Sequence, residues 1–198
     1  MAGQLDADAS PKSALRREVI AARDALAPET RSAAGAKITH QLLGLDAWKN
    51  ARCVLVYLSF GSEFETTALL ECARASGKAI CLPRVDRSAR ALAIHRVDDP
   101  NSDVETGVWG IREPRPACPA VVLEAIDFVL VPGVAFTPRC ERLGYGGGFY
   151  DALIARFAQR PPLVAAAFGM QIRDRIPLSG RDRNVDPVVT EDAAYCGC

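Results

Sequence analysis

The chain has 198 residues, 49% of them apolar and 24% charged, the proportions of a globular protein rather than a disordered or fibrous one. Its 24 Lys+Arg balance its 24 Asp+Glu. That argues against binding long nucleic acid by charge, but not against a compact anion that needs only a few local cations. One domain, residues 1–198, is long enough to bury roughly 70% of its unfolded surface.

Residues 1–9 include Asp6 and Asp8, lack the apolar stretch of a secretion signal and read as a frayed tail. Ser10-Pro11 forms an N-cap and first helical position. Leu15, Val19, Ala22 and Leu26 then share one helical face. A second helix is expected from Pro28 to about Leu43, with Ile38 and Leu42 inward and Gly35 weakening it. Residues 53–60 (CVLVYLSF) form a strand buried on both faces. A helix over Thr66–Ser76 stops at Gly77, and residues 78–83 and 91–97 are further strands, the latter nearer an edge. Pro100, Pro114, Pro116 and Pro119 make residues 98–126 mostly loop. Residues 127–136 (DFVLVPGVAF) are a buried strand, Gly147–Gln159 a helix, 163–169 a strand and 185–189 a short strand before a loose tail. Strands alternating with helices argue a three-layer α/β/α domain around a mostly parallel sheet.

No apolar run approaches the ~20 residues of a membrane helix. The seven cysteines are odd in number and form no CxxC pair, so zinc and thioredoxin-type centres are unsupported and reduced thiols in a cytoplasmic protein are expected. Cys53 and Cys81 lie in apolar runs. Cys140 lies in a polar loop and reads as incidental.

Residues 142–151 (RLGYGGGFYD) lie between a strand and a helix. Gly144, Gly146, Gly147 and Gly148 leave backbone N–H groups uncovered, and such a loop cradles phosphate. Arg142, with Lys12 or Arg16, supplies countercharge. The loop is not a dinucleotide fingerprint, because Phe149 stands where G-x-G-x-x-G requires glycine. Asp151, just after the loop, suits either a helix start or a Mg²⁺ ion, which prefers one or two carboxylates plus phosphate and water.

This loop and the preceding DFVLVPGVAF together resemble the signature of the 5-formyltetrahydrofolate cyclo-ligase family. Four further segments match in order: Lys12-x-x-x-Arg16, residues 57–66 (YLSFGSEFET), 107–114 (GVWGIREP), and Pro177 through Asp182 to Asp186. The resemblance implies a fold similar to the NagB/RpiA/CoA transferase-like group. It also implies ATP- and Mg²⁺-dependent closure of 5-formyltetrahydrofolate by a monomer acting on small molecules, with no nucleic-acid or membrane partner.

By resemblance, Lys12, Arg16, Arg142, Gly144, Tyr145, Gly146, Gly147, Gly148, Phe149 and Tyr150 contact the nucleotide. Leu58, Glu63, Trp109, Tyr145 and Tyr150 contact the folate. Arg142, Tyr150 and Asp151 serve catalysis, and Asp151 and Asp182 hold Mg²⁺, with Asp186 as a neighbour. Glu63 can accept the paired N–H donors of a pterin edge, and Trp109 and Tyr150 can pack on its rings. Phe149 departs from the family's common tyrosine and lacks its hydroxyl. Two other readings compete: a folate carrier that would need neither Lys12 nor Asp151, and another phosphate-handling enzyme that would leave Asp182 unexplained.

Overall fold

The computed structural model describes residues 10–197, so the tail expected over residues 1–9 lies outside the described residues. Helices run over Pro11–Asp24 (α1), Pro28–Gly44 (α2), Asp46–Asn50 (α3), Thr67–Ala75 (α4) and Phe149–Ile154 (α5). Strands run over Cys53–Leu55 (β1), Ala79–Asp86 (β2), Ala91–Val97 (β3), Val104–Thr106 (β4), Arg112–Pro114 (β5), Phe128–Leu130 (β6), Ala135–Phe136 (β7), Arg142–Leu143 (β8), Leu163–Ala166 (β9), Val188–Val189 (β10) and Ala194–Tyr195 (β11).

The main sheet has the order β11-β10-β9-β6-β1-β2-β3. Strands β10, β9, β6, β1 and β2 are mutually parallel, and the edge strands β3 and β11 run antiparallel to their neighbours. The expected mostly parallel α/β sheet is present, with 91–97 at an edge. Alternate residues of each strand enter opposite cores. Val54, Ile80, Phe128 and Val164 meet Ile38 and Leu42 of α2 and Leu69 of α4 on one face. Leu55, Cys81, Val129 and Ala165 meet Leu153 and Ile154 of α5 on the other. This double burial is why the strands read as unbroken apolar runs.

Several boundaries differ from expectation, each for a local reason. The run 53–60 pairs only through Leu55, and past Val56, whose N–H donates to the Cys81 carbonyl, it leaves the sheet as a loop. The run 127–136 breaks at Pro132-Gly133. Pro132 has no N–H to give the ladder, and β7 instead pairs with β8. Residues 98–126 are not only loop, because β4 and β5 form a hairpin. The last helix spans 149–154 rather than 147–159, because Gly146 and Gly148 take positive φ (104° and 71°), a region open to glycine. The short helix α3 was not expected, and the supposed loose tail contains β11.

Ser10 does cap α1, its Oγ accepting from Ser13 N at 3.2 Å. Val19 is buried as expected, but Ala22 is exposed and Arg23 lies inward. Cys140 is buried rather than in a polar setting, its Sγ 3.0 Å from the Tyr195 carbonyl. Among the described residues, no helix is long and apolar enough to cross a membrane.

Candidate active site

Open parallel sheets bind ligands beyond the carboxyl ends of their strands. Here the chain leaving β1 forms the 57–66 loop, the chain leaving β6 turns at Pro132-Gly133, and the β7–β8 hairpin delivers the glycine loop. Gln171, unremarked in the sequence, braces this region. Its amide nitrogen donates to the carbonyls of Gly133 and Val134, at 3.2 and 2.9 Å, and its Oε1 accepts from Phe168 N.

Gly146, Gly147 and Gly148 are exposed, so the backbone of the loop is open to solvent. The cation on the loop is Arg16. Its Nε donates to the Gly144 carbonyl at 2.7 Å, and a Cβ added to Gly146 would press the Arg16 guanidinium at 3.3 Å. Arg142, expected beside the phosphates, lies instead beneath the loop and is 3% exposed. It donates to the Pro132 carbonyl at 3.1 Å and to Asp151 Oδ1 at 2.5 Å, and its Nε has no partner among the described residues. A Cβ at Gly144 would meet the Arg142 guanidinium at 2.8 Å, so glycine there admits this buried cation.

Two acids anchor the closing segment, Asp151 from the start of α5 and Asp182 by its tie to α1. Asp151 Oδ1 also accepts from Arg183 N at 3.0 Å. Asp182 Oδ2 accepts from Lys12 Nζ at 2.5 Å and from the backbone N–H and hydroxyl of Ser179. Lys12, expected to contact phosphate, is thus already paired. Burial disfavours ionised Asp182, but the hydrogen bonds from Lys12 and Ser179 outweigh it and hold the carboxyl below its ordinary range. These bonds fall on one oxygen of each acid, which fits a Mg²⁺ ion that takes its other ligands from phosphate and water. No cluster of three metal-ligating side chains occurs among the described residues, so transition-metal chemistry has no preformed protein cage here. Asp186 is exposed.

On the other side of the loop, Glu63 is 8% exposed and accepts from Phe60 N at 3.1 Å. Burial raises its carboxyl above the ordinary range, partly offset by Tyr145, by the Phe60 N–H and by Arg23. Glu65, the alternative acid, is exposed and bound to Ser59 and Thr67. The Tyr150 hydroxyl is buried with no partner among the described residues. Burial is the main influence keeping it protonated, and the charges of Glu63 and Arg142 both reach it.

Two aromatic pairs flank the loop. Tyr145 lies against Phe60 (centroids 5.2 Å apart), and Phe149 lies edge-on to Trp109 (5.9 Å), which is 69% exposed. Leu58 packs partly buried against the core behind. Phe60 and Arg23 were not singled out in the sequence. The signal for Arg23, an arginine among the inward positions of α1, was present but overruled by apolar periodicity. A groove of about 590 Å³ between the β2–β3 and β4–β5 hairpins contains none of the predicted site residues.

The model of the 5-formyltetrahydrofolate cyclo-ligase family matches residues 8–191. The chain is 28% identical to mouse 5-formyltetrahydrofolate cyclo-ligase over 196 residues, covering 93% of this chain and 95% of the mouse protein. It is 29% identical to the Escherichia coli K12 enzyme of that name over 175 residues, covering 87% and 96%. Aquifex aeolicus 5,10-methenyltetrahydrofolate synthetase superposes with a TM-score of 0.83 at 32% identity, covering 94% and 93% of the two chains. A Mycoplasma pneumoniae 5,10-methenyltetrahydrofolate synthetase shares the fold, with a TM-score of 0.73 at 21% identity, covering 91% and 98%. A match that spans the N-terminal basic helix, the glycine loop and the Asp182 segment leaves one conclusion: the chain belongs to the 5-formyltetrahydrofolate cyclo-ligase family.

Proposed function

We propose that the protein closes 5-formyltetrahydrofolate to 5,10-methenyltetrahydrofolate at the expense of ATP, with Mg²⁺, releasing ADP and phosphate. The observation that carries this reading is the Tyr145 bridge. Tyr145 of the glycine loop packs its ring on Phe60 and, through Arg23, is hydrogen-bonded to Ser62 beside the buried carboxylate Glu63, so a phosphate cradle and a pterin-sized acceptor share one cleft.

A formamide oxygen is a poor leaving group. Moving the γ-phosphoryl of ATP onto it makes it a good one. N10 then attacks the formyl carbon, the ring closes and phosphate departs. The protein's work is positioning and charge stabilisation. Arg16 and the open amides of Gly146–Gly148 bind phosphate. Glu63 accepts the pterin N–H donors, and Phe60, Tyr145 and Trp109 pack on the rings. The Tyr150 hydroxyl, which has no partner among the described residues and feels the charges of Glu63 and Arg142, is a donor for the reacting oxygen. Asp151 and Asp182 are the residues that would hold Mg²⁺, which neutralises phosphate charge when bound.

Purified protein given Mg-ATP and 5-formyltetrahydrofolate should produce the near-ultraviolet absorbance of the methenyl product. Its absence with active folate would overturn the reading. Arg16→Ala removes one charge-assisted hydrogen bond, worth about 1.5–3 kcal/mol. It should raise KM for ATP roughly 10-fold or more, and KM for folate far less. The reverse pattern would remove Arg16 from the phosphate side.

A further inference from the structure

Arg23 is a cation 3% exposed, at a position where helical spacing alone would place an apolar side chain. Among the described residues it makes no direct ion pair. Its Nε donates to Ser62 Oγ at 2.9 Å and its Nη2 donates to the Tyr145 hydroxyl oxygen at 3.0 Å. Its guanidinium carbon also lies 6.0 Å from the Tyr145 ring centroid. Ser62 in turn donates to Asp24. Every hydrogen bond described for the Arg23 side chain therefore ends on the 57–66 loop or the glycine loop. Burying a charge without a direct counter-ion is costly, and a methionine would fill the same place at less cost.

A guanidinium has donors only. Once Arg23 donates to the Tyr145 oxygen at 3.0 Å, the single phenolic proton is left for an acceptor away from the guanidinium. The carboxylate whose charge acts on Tyr145 is Glu63, next in sequence to the Ser62 that Arg23 also holds. We propose that Arg23 is a positioning residue for folate recognition: by occupying the acceptor side of the Tyr145 hydroxyl it directs that hydroxyl's proton to Glu63 and joins α1, the glycine loop and the folate pocket. This rests on the reading of Glu63 as the folate contact.

The groups that face Glu63 are Arg23 from α1, Tyr57 and Glu65 from its own segment, Tyr145 from the glycine loop and Tyr150 from α5. Of these charges only Arg23 favours the ionised carboxylate; Glu65 opposes it, as burial does. Removing Arg23 takes away both its field and the proton direction it imposes, so Glu63 should hold its proton to higher pH.

The test uses Arg23→Met and Arg23→Lys. Arg23→Met should raise KM for 5-formyltetrahydrofolate at least 10-fold while KM for ATP moves less than 3-fold. The acid limb of kcat/KM for folate should shift to higher pH. Arg23→Lys, which keeps the charge, should recover most of the pH shift. Carboxyl ¹³C NMR titration of glutamate-labelled protein, with Glu63 assigned by Glu63→Gln, should show the same upward shift without substrate. If the Glu63 midpoint and the acid limb do not move in Arg23→Met, the proposal is overturned. Should that variant fail to fold, Tyr145→Phe cuts the same chain at its middle, and an unmoved Glu63 midpoint there is equally fatal. If the wild-type protein makes no methenyl product, the proposed activity fails on its own, and the NMR titration still decides the role of Arg23.

Discussion

Asp151→Ala is expected to reduce turnover by about 100-fold or more and to destabilise the fold by about 3–5 kcal/mol. The two effects have different sources. Asp151 is the counter-ion of Arg142, whose side chain is 2% exposed. Without it the guanidinium keeps the Pro132 carbonyl, but one more N–H joins Nε in having no partner. An uncompensated buried charge is among the more costly single defects. The Arg183 N–H loses its acceptor too, so the 177–186 segment is no longer tied to the loop. Asp151→Asn separates stability from chemistry. Its amide oxygen still accepts from Arg142 and Arg183, so the loss of stability should be markedly smaller, while a neutral ligand weakens Mg²⁺ binding and turnover should remain low. Urea denaturation and methenyl absorbance read the two quantities. A loss under about 1 kcal/mol for Asp151→Ala would mean that Arg142 finds another partner, and wild-type turnover for Asp151→Asn would remove Asp151 from the metal.

The parts of the fold legible in the sequence are those governed by local pattern. Val54–Val56 and Phe128–Val131 read as strands because both faces of the sheet are covered. The Ser10 cap and the stop at Gly77 follow from single-residue backbone chemistry. What was not legible depends on partners distant in sequence. Pro132 ends the strand by its missing N–H, but that the chain beyond it pairs as β7 depends on β8. The β4–β5 hairpin is held to β2 by Arg84, which donates to the Pro114 carbonyl 30 residues away. At the site, residue types and spacing indicated a phosphate loop, but not which cation lies on it. Arg142 is next to the loop in sequence and beneath it in space, whereas Arg16, 128 residues from Gly144, reaches its carbonyl. Lys12 and Asp182 were assigned separately to phosphate and metal, and they are paired with each other. Arg23 was hidden because helical periodicity treats inward positions as apolar, and a cation there is recognisable only once Ser62 and Tyr145 are seen around it.

Glu63→Gln should make the protein more stable at neutral pH and poorer at binding folate. The native carboxyl is raised, chiefly by burial, above its ordinary value of 4.5. The folded state therefore holds this proton more tightly than the unfolded state does. The contribution of Glu63 to stability is full below the unfolded value and is lost as pH rises through the folded one. Glutamine carries no charge to desolvate, and its Oε1 can still accept from Phe60 N. The stability difference between Glu63→Gln and wild type should thus be smallest in acid, grow as pH rises above 4.5, and level off once native Glu63 is ionised. For folate the exchange runs the other way. The amide puts an NH₂ group where a pterin edge presents its own N–H, so an acceptor becomes a clashing donor. Losing one hydrogen bond to a charged acceptor is worth about 1.5–3 kcal/mol, so KM for folate should rise roughly 10- to 150-fold with KM for ATP little changed. Urea midpoints measured across the pH range, beside separate KM values for the two substrates, check both halves. A stability difference that does not vary with pH would show that Glu63 is not strained by burial. An unchanged folate KM would place the pterin elsewhere. Stability given up at a residue whose charge the substrate requires is the trade-off expected of a binding group, and Tyr145, the Phe60 N–H and Arg23 are the groups that favour the ionised carboxylate against burial.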